Sequence, residues 1–264
     1  MPGPLSADAG PRIAVLLLAL AAILGLLLQC SPAATSTADK DALRVKIQLM
    51  TSLPIVWGDD ATMENILAGK ASPAPIYAHW QKQYDIAAVD SFDGLETSDT
   101  DIVLLVQPPA MDPADFVAID TWVRAGGKAI ILTDPMLIWP TDYPIGDKRR
   151  PLSSGLLSPL LGHWGLELQL TNDKASSAEL QFPDAKITAV GIGTFKPVAM
   201  PENEKVACAL SADNVMARCA LGDGHAIILA DADFLNDALW NKSSGNAVPD
   251  APRLIDIFID DLQN

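Results

Sequence analysis

Two near-continuous apolar runs, Ile102 to Gln107 (IVLLVQ) and Ala129 to Thr133 (AIILT), flank a segment with helical periodicity. A run without alternation suits a strand buried on both faces, as in a parallel sheet covered by helices. Between the runs, Asp112 is placed to cap a helix, Pro113 fits its first position, Asp115 falls in its first turn and Gly126 stands just past its end. Phe116, Ile119, Trp122 and Val123 recur at spacings of three and four, so one face of this helix packs on the sheet. A strand, a helix of this length and a second strand form a right-handed βαβ unit. The region is therefore α/β and not a β-sandwich.

The same alternation extends outward. Val45 to Met50 (VKIQLM) reads as a half-buried strand and Asp85 to Asp90 as a weaker one, with helices near Thr62 to Leu67 and Ile76 to Tyr84. Pro135 to Leu157 carries no periodicity and is a long loop, a length that compact domains keep for function. A short helix from Ser158 to Trp164 and a strand LELQL follow. The short alternating runs ELQF, KITAVGI, VACAL and VMARCAL predict an antiparallel β insertion at about 170–221. Gly224 to Asp231 returns to the α/β pattern, and Ala251 to Leu262 predicts a closing helix.

The N-terminal segment speaks to compartment. Ile13 to Leu28 is sixteen residues without a polar side chain, behind Arg12 and ahead of Gln29 and Cys30. At roughly 1.5 Å per residue the run reaches about 24 Å, and including residues to Ala34 lengthens it enough to span a bilayer core. Three fates stay open: a retained anchor, lipidation of Cys30 at a lipoprotein-type site, or cleavage near Ala33 or Ala38. Each delivers the remainder to the periplasmic side of a bacterial inner membrane. The expected organisation is an anchor or signal segment over 1–30, a tether over 31–42 and a periplasmic α/β domain over 43–264. In such an oxidising space Cys208 and Cys219, which a turn at Ala212 to Val215 sets opposite each other, either form a disulfide or stay as two buried thiols.

Charge and motifs narrow the chemistry. The chain carries a formal net charge of −15, and its first 38 residues hold one acid, Asp8, and one base, Arg12, so the whole excess lies on the body. Such a surface repels phosphate backbones, and the short basic run Lys148 to Arg150 does not reverse that, so no nucleic-acid partner is expected. His79, His163 and His225 are scattered, without HExxH or CxxC, and no metal or cofactor is expected. GxSxG, GxGxxG and Walker A patterns are absent, and no catalytic residue is assigned.

What remains is a set of polar residues at strand ends, where open parallel sheets bind ligands. Gln107, Asp134, Asp231 and Asp233 follow apolar runs, and Trp57, Asp59, Asp60 and Trp139 lie in the adjoining loops. These acids either hold a cation or polyol, or cap the turns that follow them. Trp80, Trp122 and Trp164 sit on helical patterns and read as core.

The stretch IVLLVQPPAMDPADFVAIDTWVRAGGKAIILTDPM resembles the extracytoplasmic domain of auxiliary components of gliding-motility-type (Gld-type) ABC transporters. The matching features are Pro108, Pro109, Gly126, Gly127, Asp134 and Pro135. The later stretch GDGHAIILADADFLND resembles that family's second signature through Gly224, Asp231 and Asp233, and the likeness covers roughly 102–240. It implies a flavodoxin-like, class I glutamine-amidotransferase-like layered sheet that lacks the enzyme's machinery. In agreement, Asp134-Pro135 stands where a nucleophile elbow would, and proline has no N–H for an oxyanion hole. The expected function is that of a non-enzymatic, membrane-tethered auxiliary whose partners are the inner membrane and an ABC transporter permease or envelope protein. The alternative is a periplasmic hydrolase or carbohydrate-active enzyme using the strand-end aspartates.

Overall fold

In the computed structural model the apolar runs lie side by side in one seven-stranded sheet. Numbered in chain order, its strands are β1 (Lys46–Thr51), β2 (Asp85–Ala88), β3 (Ile102–Val106), β4 (Lys128–Leu132), β9 (Val206–Ser211), β10 (Met216–Leu221) and β11 (Gly224–Leu229). The spatial order is β2-β1-β3-β4-β11-β10-β9, parallel from β2 through β11 and antiparallel at β10 and β9. The structure describes Gly3 and residues 44–59, 61–171, 177–201, 205–240 and 249–264. The apolar run 13–28, Cys30, the tether and Asp60 lie outside the described residues. Among the described residues no helix is long and apolar enough to cross a membrane.

Register explains the apolar middle of the central strands. Leu49 pairs with Leu104, Leu104 with Ile130 and Ile130 with Ile227, giving one apolar row across four strands. Every residue of β3 is buried, because helices cover both faces. The described helices are α1 (Met63–Leu67), α2 (Pro75–Gln83), α3 (Pro113–Arg124), α4 (Ser158–His163) and α5 (Asp250–Gln263). Helix α3 starts as its sequence predicts, with the Asp112 carboxylate accepting the Ala114 N–H at 2.9 Å, and it buries Ile119 and Val123. Helix α5 buries Leu254, Ile255, Phe258 and Ile259. It is tied to α2 through Asp256, which accepts the Tyr84 hydroxyl at 2.7 Å and bonds His79 Nε2 at 2.8 Å. Trp80 and Trp164 are fully buried, whereas Trp122 is half-buried against the core.

The segments expected as one β insertion are antiparallel, but they divide among three sheets. Strands β5 (Leu166–Leu170) and β8 (Gly193–Pro197) pair with each other, and so do β6 (Ser177–Gln181) and β7 (Lys186–Val190). Strands β9 and β10 instead extend the main sheet, with Cys208 and Cys219 directly opposite and joined as a disulfide. Alternation alone does not say which neighbour a half-buried strand takes. Strand β11 begins against the end of α3: a Cβ on Gly224 would sit 1.9 Å from Val123 O and 2.3 Å from Gly127 O. Only glycine fits there.

Candidate functional site

The strand order reverses at β1, which has β2 on one side and β3 on the other, so the crevice at the carboxyl ends of β1 and β3 is the topological switch point. Gln107 stands at this point in a left-handed conformation, with φ of 39°. Its carbonyl accepts both the backbone N–H of Ser52, at 3.0 Å, and the Ser52 hydroxyl, at 2.6 Å. Its side-chain amide accepts the Asp134 N–H at 2.8 Å, donates to Asp134 O at 3.2 Å and donates to Leu152 O at 3.0 Å. One buried residue thus joins the exits of β1, β3 and β4 to the long loop, its carbonyl holding Ser52 and its side chain holding Asp134 and Leu152. A non-glycine residue at positive φ holds only when its surroundings over-determine it, and five hydrogen bonds do so here.

Asp134, Asp231 and Asp233 converge as the strand-end rule expects, and all three are 1% exposed or less. Their oxygens are taken by backbone amides. Asp134 accepts from Met136 at 2.7 Å and Ala232 at 3.4 Å, Asp231 from Val190 at 3.2 Å and Phe234 at 3.1 Å, and Asp233 from Ile138 at 2.8 Å. Burial, followed by the Asp233 charge nearby, pushes the Asp134 carboxyl up to about 8. Burial likewise pushes Asp233 up to about 6, and burial together with the Asp134 charge lifts Asp231 well above the carboxylate range. These acids cap turns, and in doing so they hook the loops after β4, β7 and β11 to one another. Gln107 is equally hidden, at 0% exposure. Among the described residues no group of three His, Cys, Asp or Glu side chains is placed to hold a metal ion.

The accessible part of the edge lies beyond this platform. Trp139 is buried and donates its indole N–H to Asp59 at 3.3 Å, so two of the loop residues singled out in the sequence meet. A cleft of about 420 Å³ opens beside Asp59, between Pro54 and Thr62 on one wall and Pro140, Asp142, Tyr143 and Arg149 on the other. A second hollow of about 280 Å³ shares Asp59 and is bordered by Trp57, Asn65 and Lys70. Trp57 is 54% exposed. Asp142 escaped the sequence reading, and Arg149 entered it only as part of the basic run Lys148 to Arg150. The length of their loop was the available signal, but not which of its residues turn toward the sheet. Ser52, the partner of Gln107, carried no motif.

Residues 44–206, more than half of the chain, match the sequence model of the auxiliary family described as ABC-type uncharacterized transport system. The chain belongs to that family. The match takes in β1 through the start of β9, so the switch point, Gln107, Asp134 and the cleft all fall inside the part that defines a transport auxiliary. No curated protein matches the sequence.

Solved structures overlap it loosely. The exo-β-1,4-mannosidase Op5Man5 from Opitutaceae bacterium strain TAV5 is 12% identical, covering 74% of this chain and 33% of its own, with a TM-score of 0.40. A catalytic variant of the GH42 β-galactosidase Gan42B from G. stearothermophilus is 9% identical over 83% of this chain and 30% of its own, at 0.45. A β-galactosidase from Bacillus circulans sp. alkalophilus gives 14%, 82%, 31% and 0.42. The auxiliary spans about a third of the length of each. Those activities belong to those enzymes and are not carried over here.

Proposed function

We propose that the chain is a non-enzymatic auxiliary of an ABC-type transport system, tethered to the inner membrane with its α/β domain in the periplasm, and that it binds a partner subunit at the carboxyl edge of its sheet. The observation that carries this reading is the use made of the strand-end acids. Asp134, Asp231 and Asp233 spend their oxygens on backbone amides and are closed to solvent, which leaves them nothing to offer a substrate. A hydrolase or carbohydrate-active enzyme built on these acids would need at least one of them at a surface.

Family membership supports the transport association. The strand order, with β1 flanked by β2 and β3 and then β4 and β11, supports a flavodoxin-like, amidotransferase-like sheet. The Cys208–Cys219 disulfide and the apolar run from Ile13 to Leu28 support an oxidising compartment reached through a membrane. The test is purification of the tagged full-length chain from membranes of its own cells, with protease digestion of spheroplasts in parallel. Co-purification of an ATPase and a multi-span permease, and digestion of residues 44 onward from outside, are the expected results. Recovery of the intact chain in the cytosol, free of transport subunits, would overturn the reading.

A further inference from the structure

The two outer strands of the main sheet differ in kind. Strand β2 is four residues long, opens on the exposed Asp85 and is followed by the exposed Asp90. Short length and charge are the ordinary means by which a sheet discourages a further strand. Strand β9 uses neither. It pairs with β10 over six residues without a bulge, and its sequence, VACALS, holds no charge and no proline.

The direction of its backbone groups follows from one bond. The Gly222 N–H donates to Lys205 O at 2.9 Å, one residue before the strand begins. Bonded residues alternate along an antiparallel ladder, so Ala207, Ala209 and Ser211 face β10, while Val206, Cys208 and Leu210 turn their N–H and C=O groups outward. Among the described residues nothing bonds to those outward groups. The disulfide to Cys219 holds the row in place at mid-strand, so a strand that joins it meets a preformed edge.

The row is complementary to itself. A two-fold axis through Cys208, normal to the sheet, sets Cys208 opposite Cys208 and Val206 opposite Leu210, so that each outward N–H meets a carbonyl of the other copy. Side chains suit that alignment. On the α5 face Ala207 falls opposite Ala209, both small and exposed, and on the other face Val206 falls opposite Leu210, each already packed against the core. No charge meets its own kind. The nearest charged residues are Glu204 and Lys205 before the strand, Asp213 in the turn after it, and Arg218 on β10, which is paired with Asp261 at 2.8 Å; the alignment puts Lys205 opposite Ser211.

We infer that β9 pairs with β9 of a second copy of this chain, joining two seven-stranded sheets into one across a two-fold axis. The contact uses up the free side of β9 on both copies, so association stops at two. It lies at the lateral end of the strand order, apart from the carboxyl edge proposed above for a transport partner. A strand pair of this length is smaller than a standard interface, so the dimer forms in proportion to concentration.

The test is sedimentation velocity on the purified full-length chain in mild detergent over a range of concentrations, with hydrogen exchange followed in the same samples. The expected result is a monomer–dimer equilibrium in which exchange slows at Val206, Cys208 and Leu210 as the dimer fills, and stays unchanged over Asp85–Ala88. Ala207→Glu combined with Ala209→Glu sets like charges opposite each other across the axis and should weaken dimerisation at least tenfold. Ala207→Lys combined with Ala209→Glu should restore it, because position 207 faces position 209 of the other copy. Both positions are exposed, so both double variants should keep the melting temperature of the monomer. A chain that stays monomeric, a dimer that the two glutamates leave intact, or no recovery in the oppositely charged variant would overturn the inference. Should a double variant misfold, the exchange pattern of the native chain decides alone. None of these outcomes bears on the auxiliary role, which co-purification tests separately.

Discussion

The carboxyl group of Asp134 faces that of Asp233, and burial raises both above the usual carboxylate range, Asp134 to about 8 and Asp233 to about 6. Each charge on one raises the cost of charging the other, and the buried Asp231 carboxyl beside them is raised as well.

A dependence of stability on pH follows. In the unfolded chain Asp134 loses its proton near pH 4, but in the folded chain only near 8. Through that interval the folded state binds the extra proton, so this group's contribution is full below about pH 4 and is lost as pH rises through about 8. Asp134→Asn imitates the protonated form: its oxygen can accept from Met136 and its amide can donate to Asp233. Thermal melts from pH 5 to 9 should fall for the native chain and fall less for the variant. At pH 9 the variant should be the more stable, by on the order of 1–3 kcal/mol. A variant that melts lower than the native chain at pH 9 would refute the raised Asp134 carboxyl.

Gln107→Ala should release the long loop. The change leaves the buried Asp134 N–H and the Leu152 carbonyl without their partner, at about 2–4 kcal/mol. Lys148 and Arg149 supply trypsin sites within that loop. Cleavage there should speed up well before the rest of the domain is attacked, and an unchanged digestion rate would show that the amide is not what holds the loop.

Calcium, magnesium and manganese should give no saturable heat when titrated into the domain. The oxygens of Asp134, Asp231 and Asp233 already face amide protons, and a cation would have to displace them. Saturable binding that disappears in Asp231→Asn would return the enzyme reading to first place.

Reducing the Cys208–Cys219 bond removes a short closed loop, with a sequence separation of 11. On the chain-entropy account this lowers stability by about 2–3 kcal/mol. Denaturant unfolding with and without reductant measures it. Alkylation of the denatured, unreduced domain should label neither cysteine, and label on both would contradict the bond.

Gly224→Ala is expected to prevent folding or to cost about 3 kcal/mol or more, because the added carbon strikes two backbone carbonyls that have nowhere to move. Gly126→Ala makes the comparison, since it meets no atom within 4 Å and bears only the strain of its φ of +112°. If the two variants melt alike, the close approach of β11 to α3 is not the constraint.

These contrasts show which features could be read from the sequence. Helix α3 was legible to the residue, since its cap, its proline and its apolar face are all local signals. Strands β3, β4 and β11 were legible because burial on both faces leaves them a run of four or more apolar residues, with Lys128 and His225 only at the starts of β4 and β11. The convergence of Asp134, Asp231 and Asp233 followed from their places at the ends of such strands. Their concealment did not, because it depends on loops 95 residues apart closing over them, as Ile138 does on Asp233. The left-handed backbone of Gln107 has no sequence signature either, since its cause lies in Ser52, Asp134 and Leu152. The pairing of β9 and β10 with the main sheet escaped notice because alternating strands fit a separate hairpin equally well.

Strand β9 ends the sheet, and its outer backbone edge is the kind that invites a strand from another molecule. The disulfide binds it to β10 at mid-length, in one register, so it cannot slide by two residues or peel away to be exchanged between copies. Loss of either cysteine thus threatens more than the stability of the monomer. It also opens a route to domain-swapped or aggregated chains that the intact clamp keeps shut.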